Sequence, residues 1–141
     1  MKIATVDDFD AVNKMALNFL EASPYKDLGD KEVTSKLVLD IISSSPNERI
    51  IIFEDGVGFI AGAVTPFLLG THTMATEIAW WVEPDHRGNG KGMELLDAFE
   101  YWAKNITGAK IISMSSIDKT VEKYYRKHGY KLYERAYMKV F

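Results

Sequence analysis

Apolar residues recur at helical spacing early in the chain. Phe9, Val12, Met15, Ala16, Phe19 and Leu20 fall on one face of a 3.6-residue repeat. Thr5 and Asp8 open this helix as a capping box with Asp in place of Glu, and Ser23-Pro24 stops it. Residues 2–4 read as a short strand. A second helix is predicted over residues 31–44, with Val33, Leu37, Leu39, Ile41 and Ile42, and the run from Ser43 to Asn47 ends it. Then the period changes. Residues 49–54, RIIIFE, form a compact β-branched run, Asp55-Gly56-Val57-Gly58 is a turn, and residues 59–67 return as the hairpin partner. Residues 76–82 read as the next strand. The helix after it places Leu95, Leu96, Phe99, Trp102, Ala103 and Ile106 on one face, with Glu94, Asp97, Glu100 and Lys104 mostly opposite. Gly108 follows its end. Residues 110–115 are a strand and 118–128 a helix closed by Gly129. Residues 130–134 and 136–141 read as two last strands joined by a short turn.

The predicted order is β-α-α-β-β-β-α-β-α-β-β. Strand–helix–strand units mixed with hairpins imply an α/β fold: a single domain over residues 1–141 with a mixed, mostly antiparallel twisted sheet and helices on both faces. The composition agrees. A chain of 141 residues, 47% hydrophobic and 12% aromatic, buries a core without staples. The net charge of −3 gives no basic field and argues against a nucleic-acid partner. The chain has no cysteine, which excludes disulfides and thiolate chemistry. No apolar run reaches the ~20 residues of a membrane span, and MKIATVDDFD lacks the apolar core of a signal peptide, so the expected setting is cytoplasmic.

The candidate chemistry centres on the loop between the strand 76–82 and the third helix: Arg87-Gly88-Asn89-Gly90-Lys91-Gly92. Backbone N–H groups at a helix start have no intrahelical partner and lie at the positive end of the helix dipole, so they suit an anion. Glycine lets the backbone approach that anion closely. A P-loop requires Ser or Thr after the lysine, where Gly92 stands, and the dinucleotide fingerprint requires a small residue at Met93 or Leu95. Both motifs fail. The spacing that fits is Arg87-x-x-Gly90-x-Gly92, with Val82 and Pro84 before it. It resembles the coenzyme A loop of the GCN5-related N-acetyltransferase family, and the element order is similar to that of the family over the whole chain.

The resemblance implies an acyl-CoA N-acyltransferase fold and acetyl-CoA as acetyl-donor cosubstrate, with no metal. Gly88, Asn89, Gly90, Lys91 and Gly92 would cradle the pyrophosphate, and Arg87 or Lys91 would pair with a phosphate. A free amine would attack the thioester directly. An amine of pKa about 10.4 is neutral in only about one part in two thousand at pH 7, so a base is needed. Glu77 is the candidate, because family members with a glutamate base carry it near this point of this strand. Its replacement by Gln is expected to cost most at low pH. A backbone N–H near Trp81 or Val82, freed by a bulge, would meet the oxyanion. In the family pattern Tyr-x-x-x-Gly-[Phe/Tyr], Tyr125 lies four before Gly129 and is the candidate acid; Tyr124 is expected to pack inside. Asp118 stands where many relatives have the Asn that touches the pantetheine arm. It reads as a helix cap first and a cofactor contact second. Trp80 and Trp81 alternate faces, one for the core and one for the substrate side. His72, His86 and His128 have no metal-ligand spacing and read as surface residues.

The acceptor loop is expected near residues 22–30, with Tyr25, Lys26, Asp27 and Asp30. Its mixed charge leaves open a small-molecule or a protein amine. The alternative to an enzyme is a non-catalytic acyl-CoA-binding sensor or interaction protein of the same fold. Tyr133, Tyr137 and Phe141 on an edge strand leave room for a homodimer.

Overall fold

The computed structural model describes residues 1–117 and 119–141. Its elements are β1 (Lys2–Ile3), α1 (Phe9–Ala22), α2 (Lys31–Ile42), β2 (Arg49–Glu54), β3 (Gly58–Pro66), β4 (Thr73–Val82), α3 (Lys91–Tyr101), β5 (Ile111–Ser113) and α4 (Glu122–Lys127). The five strands form one sheet in sequence order. β1 to β4 are antiparallel neighbours, and β4 pairs β5 in parallel.

Helices cover both faces. On one side Val12, Met15 and Ala16 of α1 and Val38, Ile41 and Ile42 of α2 pack on Ile51, Phe53, Phe59, Ala61 and Ala79. On the other, Leu95, Leu96 and Phe99 of α3, with Trp102 and Ala103, pack on Ile50, Ile52, Ile60 and Ala75. These are the helical stripe and the strand alternation expected of two layers on a central sheet. The Trp102 indole N–H donates to the Pro46 carbonyl at 2.6 Å, which fastens the helix end to the approach of β2. Thr5 N–H donates to Asp8 Oδ2 at 2.9 Å, as the capping box requires, and Asp30 Oδ1 accepts from Val33 N–H to cap α2. No helix of the described residues is long and apolar enough to cross a membrane.

Four sequence expectations are corrected. The third helix passes into a turn of π-helix at Trp102–Ile106, and Ile106 is left exposed. On α2, Val33, Leu37 and Leu39 face outward and Val38 is the buried residue. β4 begins at Thr73, so Glu77 is mid-strand rather than at its start. The two last strands do not form. Residues 131–141 have no assigned strand or helix and are exposed throughout. With no Gly, Pro, Asn or Asp between 131 and 141, a hairpin there has no turn-forming residue to close it.

Candidate active site

The site is an opening in the sheet. β4 and β5 pair only through Met74, Ala75 and Thr76 with Ile111, Ile112 and Ser113. Beyond that point β4 runs on to Val82 against β3 alone. Its other edge has no strand beside it among the described residues. The six further residues of β4, Glu77 to Val82, therefore border a slot that leads to the start of α3.

β4 carries a bulge. Ala79 pairs Ala61 and Glu77 pairs Gly62, so Ile78 has no partner residue. The bulge inverts the strand's facing. Ala75 belongs to the core under α3, whereas Ala79 packs with α1 and α2, although the two are an even number of residues apart. Trp80 and Val82 consequently face the α3 side and Trp81 faces α1. The bulge is at Ile78, not beside Trp81 or Val82 as expected from the sequence.

Glu77 and Tyr125 meet on the backbone of a single residue, Ser115. Glu77 Oε2 accepts the Ser115 N–H at 3.1 Å, and the Tyr125 hydroxyl donates to the Ser115 carbonyl at 2.7 Å. Ser115 follows the end of β5, where the strand has left β4. Burial pushes the Glu77 carboxyl up from its ordinary 4.5 to about 7, against the lowering effect of the Ser115 N–H. Burial, and then the charge of Glu77, raises Tyr125 well above the usual phenol range. The Tyr125 ring lies 6.0 Å from Trp80 and 5.5 Å from Tyr130. Tyr125 is buried and Tyr124 is exposed, the reverse of the packing role expected for Tyr124.

At the other end of the slot, Gly90 caps α3 with φ +87° and Gly88 has φ +83°. These are left-handed conformations that glycine adopts at least cost, and a Cβ at either position would meet no protein atom within 4 Å. The loop's concave side is open. A Cβ on Gly92 would make ordinary contact with Trp80 and Val82, 3.5 and 3.6 Å away. Trp80 thus spans the floor from Gly92 to Tyr125. The indole N–H groups of Trp80 and Trp81 are buried without a protein partner.

The two basic residues of the loop are engaged. Arg87 Nε donates to the Val82 carbonyl at 2.9 Å, and its guanidinium stacks 4.7 Å over Trp81. Lys91 Nζ lies 3.0 Å from Glu54 and 3.2 Å from Glu94, and these carboxylates, Glu54 first, hold its ammonium above its ordinary range. Asn89 Oδ1 accepts weakly from Lys91 N–H at 3.4 Å. Asp118 lies outside the described residues. His128 Nδ1 is 3.0 Å from the Tyr124 carbonyl, and among the described residues no group of three or more His, Asp or Glu is placed to hold a metal.

The structure therefore unites Glu77 and Tyr125 at one end of the slot and Gly88, Gly90 and Gly92 at the other. Ser115 and the Ile78 bulge were not legible in advance. Ser115 makes these contacts through its backbone N–H and carbonyl, which other residues also supply, and a bulge is fixed by strand register.

A family model described as the acetyltransferase (GNAT) family matches residues 13–130, and the chain belongs to that family. No curated protein sequence matches the chain. Solved structures show the same fold over nearly its full length. A putative acetyl transferase from Pyrococcus furiosus is 23% identical with a TM-score of 0.70, covering 99% of this chain and 100% of that one. An aminoglycoside N-acetyltransferase in complex with CoA is 13% identical with a TM-score of 0.74, covering 99% and 92%. A ribosomal-protein-alanine N-acetyltransferase from Brucella melitensis biovar Abortus 2308 is 14% identical with a TM-score of 0.70, covering 99% and 97%.

Proposed function

We propose that the protein is an acetyl-CoA-dependent N-acetyltransferase that moves an acetyl group to a primary amine by direct attack. One observation carries this reading: a slot along the unpaired edge of β4 joins a glycine cradle to a carboxyl and a phenol held by the backbone of one residue, Ser115. From Glu77 to Val82, at about 3.3 Å per residue, the two ends stand roughly 17 Å apart. A ligand that fills both must be long, thin, anionic at one end and reactive at the other. When bound, acetyl-CoA supplies a thioester-activated acetyl group and a pyrophosphate. The residues fit it: first-turn N–H groups of α3 have no intrahelical acceptor, the space beside Gly88 and Gly90 is open, and the buried Trp80 indole N–H has no protein partner.

Each residue then has a task. The backbone of Gly88, Asn89, Gly90, Lys91 and Gly92 holds the phosphates. Arg87 and Lys91 shape the loop through Val82, Trp81 and Glu54 and add a favourable field rather than a direct clamp. Glu77 accepts the proton of the incoming ammonium, and the Ser115 N–H aims its carboxylate. Titration near 7 leaves it part ionised at neutral pH with enough basicity to act. The peptide freed from the ladder at Ile78 donates where negative charge develops on the acyl oxygen, the role first assigned to Trp81 or Val82. Tyr125 is protonated at neutral pH and gives its proton to the departing sulfur after releasing the Ser115 carbonyl. The acceptor is a small-molecule or protein amine; the names of similar structures span both kinds.

The test is calorimetric titration with acetyl-CoA, with inorganic phosphate and ATP as controls, followed by a thiol-release assay across a panel of amines. Selective binding and amine-dependent thiol release are expected. Binding without release from any amine favours the sensor reading, and no binding removes the cofactor site.

A further inference from the structure

Tyr125 has two tasks that conflict. It is the one buried residue of α4, and its hydroxyl ties that helix to Ser115, beyond the end of β5. In the acetyltransferase reading the same hydroxyl must let go of Ser115 to give its proton to the departing sulfur. α4 then loses that tie at the moment its position matters most. The helix has little else of its own to hold it. It is six residues long, its N-cap Val121 makes no side-chain cap, and Lys123, Tyr124, Arg126 and Lys127 are exposed. A helix this short has no independent stability.

A second anchor stands just beyond the other end of α4. The Tyr130 hydroxyl donates to Glu100 Oε1 of α3 at 2.8 Å, across 30 residues of chain. The Tyr130 ring lies 5.5 Å from the Tyr125 ring, and the Tyr130 N–H donates to the Tyr125 carbonyl at 3.0 Å. Tyr130 thus grips Tyr125 by ring and by backbone, while its own hydroxyl is fixed to α3. Its ring packs with the core under that helix. Burial first, and then the bond to Glu100, raise its phenol well above the usual range, so it stays a donor at neutral pH. Asp97, three residues before Glu100 on the same face of α3, lies 3.8 Å from His128 Nε2. α3 also opens on the glycine loop. Gly90 and Glu100 are about 15 Å apart along it at 1.5 Å per residue, so one rigid helix carries both the cradle and the anchor.

We infer that Tyr130 and Glu100 are a positioning pair, which holds the Tyr125 phenol at the reacting sulfur after it has released Ser115. The pair touches no reacting atom and acts only through Tyr125. Its effect on turnover rests on the acetyltransferase reading; its hold on the Tyr125 ring does not. Phenylalanine at position 130 would keep the ring contact and the backbone bond and lose only the link to α3, so the hydroxyl can be tested by itself.

The test uses full-length Tyr130→Phe, Glu100→Ala, Glu100→Gln, Tyr125→Phe and Tyr125→Phe/Tyr130→Phe. In the thiol-release assay Tyr130→Phe and Glu100→Ala should each lower kcat about 5- to 10-fold, the scale of one hydrogen bond, with the acetyl-CoA KM unchanged. Glu100→Gln keeps an oxygen that accepts from Tyr130 and should restore kcat. Added to Tyr125→Phe, Tyr130→Phe should cost nothing further. An equal loss in both backgrounds, or an unchanged kcat in Tyr130→Phe, overturns the inference. A second measurement needs no turnover. With isotope-labelled tyrosine, the Tyr125 ring signal in NMR spectra is assigned by its absence from Tyr125→Phe. It should shift in Glu100→Ala, which alters neither ring, and return in Glu100→Gln. A Tyr125 signal that ignores Glu100→Ala also overturns the inference. A shifted signal in a protein that releases no thiol with any amine counts against the function and leaves the hold on Tyr125 standing.

Discussion

At the scale of single residues, Glu77 and Tyr125 carry the sharpest expectations. The rise of Glu77 to about 7 changes one of them. A carboxyl that ionises near 7 is a base only above that pH, so Glu77→Gln removes most activity at high pH and converges with the unmodified protein at low pH. The sequence expectation of greatest loss at low pH took the carboxylate as ionised throughout. A pH–rate profile from pH 5.5 to 9, a span of about 2 units around the raised value, checks this; parallel profiles would dismiss Glu77 as base. The same shift bears on stability. The folded carboxyl keeps its proton where the unfolded one, near 4.5, has lost it, so this group's contribution falls as pH rises from 4.5 to 7 and is flat beyond. Glu77→Gln should then be more stable than the unmodified protein at pH 8 by up to about 3 kcal/mol, and by less than about 1 kcal/mol at pH 5. Denaturant melts at the two pH values read the difference. Tyr125→Phe should lower kcat on the order of 100-fold with little change in the acetyl-CoA KM. It also forfeits the bond to Ser115, costing about 1 kcal/mol. An unchanged kcat would reduce Tyr125 to packing.

At the scale of elements, the loop from Arg87 to Gly92 and the bulge in β4 position everything else. Gly90 stands at φ +87° with open space around it. Gly90→Val should cost about 1–2 kcal/mol for the left-handed backbone and weaken acetyl-CoA binding by filling the cradle. Gly88→Ala shares the backbone cost, so comparing both by calorimetry separates strain from obstruction. Equal affinity for all three proteins would disconnect the loop from the ligand. Gly62 sits opposite Glu77 at the register shift, and a Cβ there would overlap the Phe99 ring. Gly62→Ala is expected to destabilise the fold by about 1–3 kcal/mol through overpacking. A variant as stable as the parent would mean that α3 can yield at this point. The loop was readable in the chain because Arg87-x-x-Gly90-x-Gly92 is a local pattern. The bulge was not, because it depends on how β4 registers against β3.

At the scale of the molecule, a two-layer-on-sheet architecture leaves one deliberate gap, where β5 parts from β4. Acetyl-CoA at 100 times its Kd should raise stability by about 2.7 kcal/mol, which for a chain of this size is a Tm increase of roughly 10 °C. A melting curve that ignores the ligand would contradict the proposed site. By itself the sequence determined the helical stripes of α1 and α3, the β2–β3 hairpin and the glycine-rich loop before α3, and it singled out Glu77 and Tyr125 as candidates. Each of these is written in residues close together along the chain, where periodicity and backbone preference act. Tertiary structure decided the rest. It brought Glu77 to the N–H and Tyr125 to the carbonyl of Ser115, put the bulge at Ile78, turned Val38 inward on α2, and left residues 131–141 without an assigned strand. Those outcomes depend on register, burial and edge pairing between distant segments, and a one-dimensional pattern of residue types does not carry them.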